Sequence, residues 1–340
     1  MELQNFMKKT LLVGLTYDLV SDYPLQEDAP EDLYGEFDSE ETLARLEAAI
    51  LSLGHSVCRI GNIEKLVSFL AEKKSVDVVF NIAEGRWGRN RESQIPALLE
   101  AYSIPYTFSD PLTLGICLDK AFAKRLWQQN GLSVAPFGEI ESMSDFDALL
   151  EMGLEFPLFV KPIREGSSKG IGQESVVETV DQLKAQVERV LSIYQQPALI
   201  EEFLPGREFT VAVTGFGQSA KVLGMLEVPY VSESKVDGFI QKNDWETYSL
   251  SIHLPVTDAA LQKQLTEISL RAYQVLGCRD AGRLDLRMDR NGQPALMEIN
   301  PLPGLSNHSA LPYIAALAGI SFEMLVDGII REALARASGR

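Results

Sequence analysis

The sequence predicts a mixed architecture, α/β at its N-terminal end and α+β beyond it, in which a doubly wound unit is followed by largely antiparallel sheets. Three observations carry this. Short apolar runs alternate with helical patterns through the first third of the chain. Two strands of period two flank an Asn291-Gly292 turn near the C-terminal end. The length, 340 residues of which 46% are hydrophobic, is more than one core accommodates and suggests two or three domains.

The first strand is the apolar run Thr10-Leu11-Leu12-Val13-Gly14-Leu15. Asp38-Ser39-Glu40-Glu41 then reads as a helix start, with Leu43, Leu46, Ala49, Ile50 and Leu53 at helical spacing up to Gly54. Strands follow at 55–60 and 76–82, a helix at 94–101 and a strand at 104–107. Ligands of such a unit sit beyond the carboxyl ends of its strands. Val13-Gly14-Leu15-Thr16 offers one glycine where a dinucleotide fingerprint needs three, so a nicotinamide enzyme is disfavoured.

From Asp119 the pattern changes. A helix reaches Asn130-Gly131, the strand Leu158-Phe159-Val160-Lys161-Pro162 enters a loop over 164–172, and another strand covers 198–203. Gly206-Arg207-Glu208-Phe209-Thr210-Val211 opens a third, antiparallel region. The domains are therefore expected at 1–118, 119–205 and 206–340.

A formal net charge of −17 disfavours a nonspecific grip on nucleic acid or an anionic membrane, both of which need a basic face. Cys58, Cys117 and Cys278 are far apart, odd in number and without a C-x-x-C pair, which suggests neither a disulfide framework nor a zinc site. The first residues lack a secretory pattern and no apolar stretch approaches the roughly 20 residues of a membrane span. A cytoplasmic protein is expected.

The loop Arg164-Glu165-Gly166-Ser167-Ser168-Lys169-Gly170-Ile171-Gly172 can aim N–H groups and hydroxyls at phosphate oxygens, with Lys169 adding a charge. It lacks the order of a P-loop, and a plain surface hairpin has the same composition. Lys120 and Lys161 stand at the borders of apolar elements, where a buried ammonium needs an anion.

The strongest local signal is Gly282-Arg283-Leu284-Asp285-Leu286-Arg287-Met288-Asp289, followed by Ala295-Leu296-Met297-Glu298-Ile299-Asn300-Pro301. Alternation puts Arg283 and Asp285 on one face of their strand, and Glu298 and Asn300 on one face of the next. Two carboxylates, an amide oxygen and a guanidinium then share a patch. Hard oxygen ligands of this kind suit magnesium, which completes its shell with water and phosphate. Leu284, Leu286, Leu296 and Ile299 mark the buried side, and Asp289 reads as a turn residue. The next segment, Pro301-Leu302-Pro303-Gly304-Leu305-Ser306-Asn307-His308-Ser309, offers oxyanion donors. His308 reads either as a base or, more commonly in a polar loop, as a hydrogen-bonding spacer.

Taken together, Lys161-Pro162 with Arg164 to Ser168, Leu199-Ile200-Glu201, Glu208-Phe209-Thr210-Val211, Gly282 to Asp285, Met297 to Asn300, Pro303-Gly304 and His308-Ser309 resemble the D-alanine–D-alanine ligases, in order and in spacing. The resemblance implies an ATP-grasp fold with ATP between the central and C-terminal domains. It implies that Lys120 and Lys161 contact the phosphates under the loop of Glu165, Ser167, Ser168 and Lys169. Glu201, with Glu202 and Phe203, would lie by the adenine, and Glu208 would hold the ribose. Asp285, Glu298 and Asn300 would ligate two magnesium ions, with manganese an alternative. Arg283 and the Gly304 amide would steady the tetrahedral intermediate, and Ser309, beside His308, would meet the second substrate's carboxylate. Lys242 would be a further phosphate-contacting lysine. The partners implied are amino-acid-like small molecules and a second copy of the chain, paired through the N-terminal domain.

Three departures concern the amino-acid pocket. The N-terminal glycine-rich motif with its ammonium-binding glutamate is missing, leaving Glu36 or Asp38 as the nearest candidates. The family's His-Gly appears as Glu84-Gly85, and its following acidic residue falls near Arg89. Asn243 replaces a tyrosine that would complete an arrangement with Ser167. Glu84, Arg86, Arg89, Arg91 and Glu92 suggest a more charged first-substrate pocket, and a solvated loop explains them equally well. The expectation is an ATP-dependent carboxylate–amine ligase acting on amino-acid-like substrates. D-Alanine–D-alanine ligase proper is the alternative, and a non-catalytic nucleotide-binding regulator is the alternative of another class.

Overall fold

A computed structural model describes residues 10–24, 30–229 and 253–338. Three sheets organise them. The first is parallel, with strand order β2-β1-β3, built from β1 (Leu12–Thr16), β2 (Ser56–Arg59) and β3 (Val78–Asn81). The helix Glu40–Ser52 covers one face, and Ile63–Ala71 with Gln94–Ala101 covers the other. This is the doubly wound unit that the alternation of apolar runs predicts. Ser39 caps the first helix by accepting from the Thr42 amide, and Leu43, Leu46, Ala49 and Ile50 are its buried stripe. The expected strand at 104–107 is reduced to a single bridge between Val79 and Tyr106. Its chain leaves the sheet at once, because Phe108 takes a positive φ of 70° and drops its ring edge-on against Phe80.

The second sheet is antiparallel, in the order β4-β7-β5-β6, from β4 (Phe137–Ile140), β5 (Leu158–Pro162), β6 (Val176–Val177) and β7 (Ala198–Glu202). The helix Val180–Ile193 packs Leu183, Val187 and Val190 into its core. The third sheet runs β10-β9-β8-β11-β12, from β8 (Glu208–Thr214), β9 (Lys221–Val228), β10 (Leu254–Pro255), β11 (Ala281–Met288) and β12 (Pro294–Asn300). The helix Ala259–Val275 covers one of its faces.

Two helices join these units. Lys120–Gln129 starts against the central sheet, where Ala121 packs on Ile163 and Leu199, and ends under the third sheet with Trp127 fully buried and donating to the Ala272 carbonyl at 3.1 Å. The last helix, Phe322–Ser338, returns to the N-terminal unit, packing Val326, Ile329 and Ile330 in the same core as Leu43 and Leu46. No single helix among the described residues is long and apolar enough to cross a membrane.

Candidate active site

The C-terminal hairpin builds the patch that alternation predicts. Arg283 pairs in register with Asn300, and Asp285 with Glu298. The Arg283 guanidinium donates to Asp285 at 2.9 Å. All four side chains are half-buried, whereas Leu284, Leu286 and Leu296 are fully buried on the other face. Strict alternation would put Leu296 beside Glu298. A register shift after Asp285, which pairs Leu286 with Leu296, leaves Met297 as an extra residue and returns Leu296 to the core. The bulge therefore lets one strand present Glu298 and Asn300 to the cleft and still seal the core behind them.

These donors fit magnesium. They are two carboxylates and an amide oxygen, a set that leaves most of the shell to water and phosphate, as this hard cation prefers over an all-protein cage. Among the described residues no group of three or more His, Cys, Asp and Glu forms such a cage. Asn300 Oδ1 also accepts from the Leu302 amide at 3.2 Å, which fixes the orientation of its side chain.

Lysines from the helix Lys120–Gln129 and from β5 close the patch. Lys120, almost fully buried, hydrogen-bonds the Glu165 carbonyl and lies 3.8 Å from Glu298. Glu201 is gripped by two ammonium groups, Lys124 at 2.6 Å and Lys161 at 2.8 Å. Burial alone would raise the Glu201 pKa, but the two lysines overcome it and hold the carboxyl at about 2. For Lys161 burial is likewise outweighed by Glu201 and then Glu298, so its pKa rises; for Lys124 burial wins and it falls. Lys124 also donates to the Leu296 carbonyl at 3.2 Å, tying its helix to β12. Sequence reasoning overlooked Lys124. It lies four residues after Lys120 on one helix, so the two share a face, and that spacing was the available signal.

The remaining nucleotide candidates divide. Glu208 approaches Arg287 at 3.9 Å, and the Arg287 guanidinium stacks 4.5 Å above the Phe203 ring, so these three gather at one end of the cleft. Glu202 faces away from Glu201 and accepts from the Glu155 amide at 3.0 Å. In the glycine-serine loop, Ser167 and Ser168 both adopt positive φ, 47° and 60°, and Ser167 is exposed. Lys169 turns inward to pair with Glu165. Lys242 and Asn243 lie outside the described residues.

On the N-terminal side, Gly304 approaches Ser309 so closely that a Cβ would meet its Oγ at 2.7 Å. Ser309 shares a 2.9 Å hydrogen bond with Ser306 and stands at the N-cap position of the helix Ala310–Leu317 without a side-chain capping bond, while His308 is exposed. Arg45 holds this loop by donating to the Leu305 carbonyl at 3.0 Å. Glu36 is already engaged: Arg91 donates to it at 2.9 Å, Lys169 lies 3.5 Å away, and the Gly166 amide donates to it. Burial pushes the Glu36 pKa up, but Arg91 and Lys169 bring it below the usual range.

The residues 126–331 match the family model described as the D-ala D-ala ligase C-terminus. A protein named D-alanine–D-alanine ligase from Cupriavidus metallidurans is 35% identical over 259 residues, 76% of this chain and 76% of that protein. The chain belongs to the D-alanine–D-alanine ligase family. It is an ATP-grasp ligase. A Sinorhizobium fredii relative, named uncharacterized protein y4sG, is 37% identical over 272 residues, 77% of this chain and 76% of its own length. The fold matches that of the Bacillus anthracis D-alanine–D-alanine ligase crystallised with ATP, with a TM-score of 0.73 at 23% identity over 97% of this chain and 99% of that one.

Proposed function

We propose that this chain joins the carboxylate of one amino-acid-like substrate to the amine of another at the expense of ATP, through an acyl phosphate. The observation that carries this is the register of β11 and β12, which gathers Asp285, Glu298, Asn300 and Arg283 opposite Lys120. ATP would lie between the second and third sheets, with Lys120 and Lys161 toward its phosphates, Glu201 at the base and Glu208 at the ribose. Asp285, Glu298 and Asn300 would hold magnesium, which when bound offsets triphosphate charge. Arg283 and the Gly304 amide would stabilise charge on the reacting carboxyl group, and Ser309 would orient the second substrate. The glycine-serine loop, with Ser167, Ser168 and Lys169, would exclude water that hydrolyses the acyl phosphate. This reading keeps the division 1–118, 119–205 and 206–340, a cytoplasmic location and a homodimer, the last checked by light scattering.

The substrate is other than, or broader than, D-alanine, because Glu84, Arg91 and Glu92 give the first-substrate side an unusual charge. D-Alanine–D-alanine ligase proper is the second reading, favoured by the names of several curated relatives. Phosphate release across a panel of D- and L-amino acids tests both. Turnover with several amino acids supports the first, and turnover confined to D-alanine supports the second. Tight ATP binding without ADP formation from any carboxylate and amine pair would instead indicate a nucleotide-binding regulator.

A further inference from the structure

Glu84 follows the end of β3 and Glu92 lies in the short 3-10 turn Arg91–Ser93, and backbone contact brings the two segments together. Gly85 makes this contact, with a φ of 75° and so little room that a Cβ would stand 2.6 Å from the Arg91 carbonyl oxygen. Its amide donates to Asp18 at 2.8 Å, which fixes the turn. Glu92 is 7% exposed and Glu84 half-buried, and among the described residues no side-chain hydrogen bond or ion pair reaches either. The neighbouring cation, Arg91, directs its hydrogen bonds elsewhere, although its charge acts on both acids. It donates to both oxygens of Glu36, at 2.9 and 3.2 Å, and to the Arg164 carbonyl at 2.8 Å.

A buried carboxylate without a partner must acquire a cation or keep a proton. The groups facing this pair are Glu36, Asp38, Arg91, Lys120 and Glu165, so acids outnumber bases. Burial first, then the charges of Glu92 and Glu36, push the Glu84 pKa well up. Burial, opposed by Arg91 and reinforced by Glu36, brings Glu92 to about 7. The pair adjoins the cleft, since Arg91, next to Glu92, contacts Arg164 and Glu165, and Lys120 bonds the Glu165 carbonyl and lies 3.8 Å from Glu298.

We propose that Glu84 and Glu92 together form the seat for the ammonium group of the first substrate, at the carboxyl end of β3, and that Glu36 instead anchors the glycine-serine loop. This rests on the ligase reading above. The first substrate is then an amine-bearing acid, and its ammonium displaces a proton held by the pair. Glu36, tied to Gly166, Arg91 and Lys169, fixes the loop whether or not an amino acid is bound.

The test labels glutamate carboxyls with carbon-13, assigns Glu84 and Glu92 through Glu84→Gln and Glu92→Gln, and titrates the full chain with methylammonium chloride against sodium chloride at equal ionic strength. Both resonances are expected to shift saturably with methylammonium and not with sodium. Ordinary titration near pH 4 with no methylammonium response would overturn the proposal. An ADP-formation assay separates the two readings. Glu92→Gln should raise the KM for the first amino acid by about tenfold or more while leaving the KM for ATP unchanged, and should narrow the preference over the matched des-amino acid. Unchanged amino-acid KM in both variants, with wild-type ADP formation intact, overturns the seat and spares the ligase. Methylammonium binding without ADP formation from any amino acid does the reverse.

Discussion

The hairpin of β11 and β12 and the turn after β3 both concentrate carboxylates, yet they manage charge in opposite ways. In the hairpin each acid has a cation at hand, Arg283 on Asp285 and Lys120 near Glu298, and both acids stay half-buried at the cleft. After β3, Arg91 is ion-paired with Glu36 and Glu165, and Glu92 is buried without an ion pair among the described residues. A patch that is balanced and open is organised to exchange its cations for a metal and a nucleotide. One that is buried and unbalanced is organised to receive a charge from outside. On the proposed reading the first serves the chemistry of the reaction, and the second the choice of substrate.

The sharpest way to break this contrast is Glu298→Gln. The substitution keeps the shape and removes one of the proposed anionic metal ligands, so kcat should fall by about 100-fold or more with little change in thermal stability. A rate within a few-fold of wild type, measured by phosphate release, would separate the hairpin from the chemistry.

Lys124→Met comes next. It leaves Glu201 with Lys161 alone and removes a tie to β12, so stability should fall by about 3 kcal/mol, as when a buried ion pair is broken. The KM for ATP should rise more than kcat falls, because Lys124 positions Glu201 without approaching the reacting atoms. Urea unfolding and steady-state kinetics check the two halves separately.

The smallest effect is in acid. Glu201 titrates at about 2 in the fold, below its ordinary value, so the stability it contributes is fully present above about pH 4.5 and is lost as the pH falls through about 2. In Lys124→Met the loss should begin at higher pH. Superimposable acid-unfolding curves for the two proteins would contradict the Lys124–Glu201–Lys161 arrangement.

The hairpin was legible because its information is local. Period-two alternation and Asn291-Gly292 fix which side chains share a face, and the bulge at Met297 explains how Leu296 can be buried out of phase. The doubly wound unit was legible for the same reason, apart from the strand at 104–107, which Phe108 ends after one bridge. What pairs with Glu36 was not legible. Arg91, Gly166 and Lys169 lie 55, 130 and 133 residues away from it, and no short pattern states that they meet. Glu84, Arg91 and Glu92 could be read as a charged group, but which acid keeps a partner and which does not is decided only by packing.

Manganese binding to the ATP-saturated enzyme, followed by electron paramagnetic resonance, tests the central claim most directly. Glu298→Gln should weaken manganese binding by about tenfold or more, whereas Glu92→Gln should leave it as in the wild type. Equal manganese affinity in the wild type and Glu298→Gln would contradict the account.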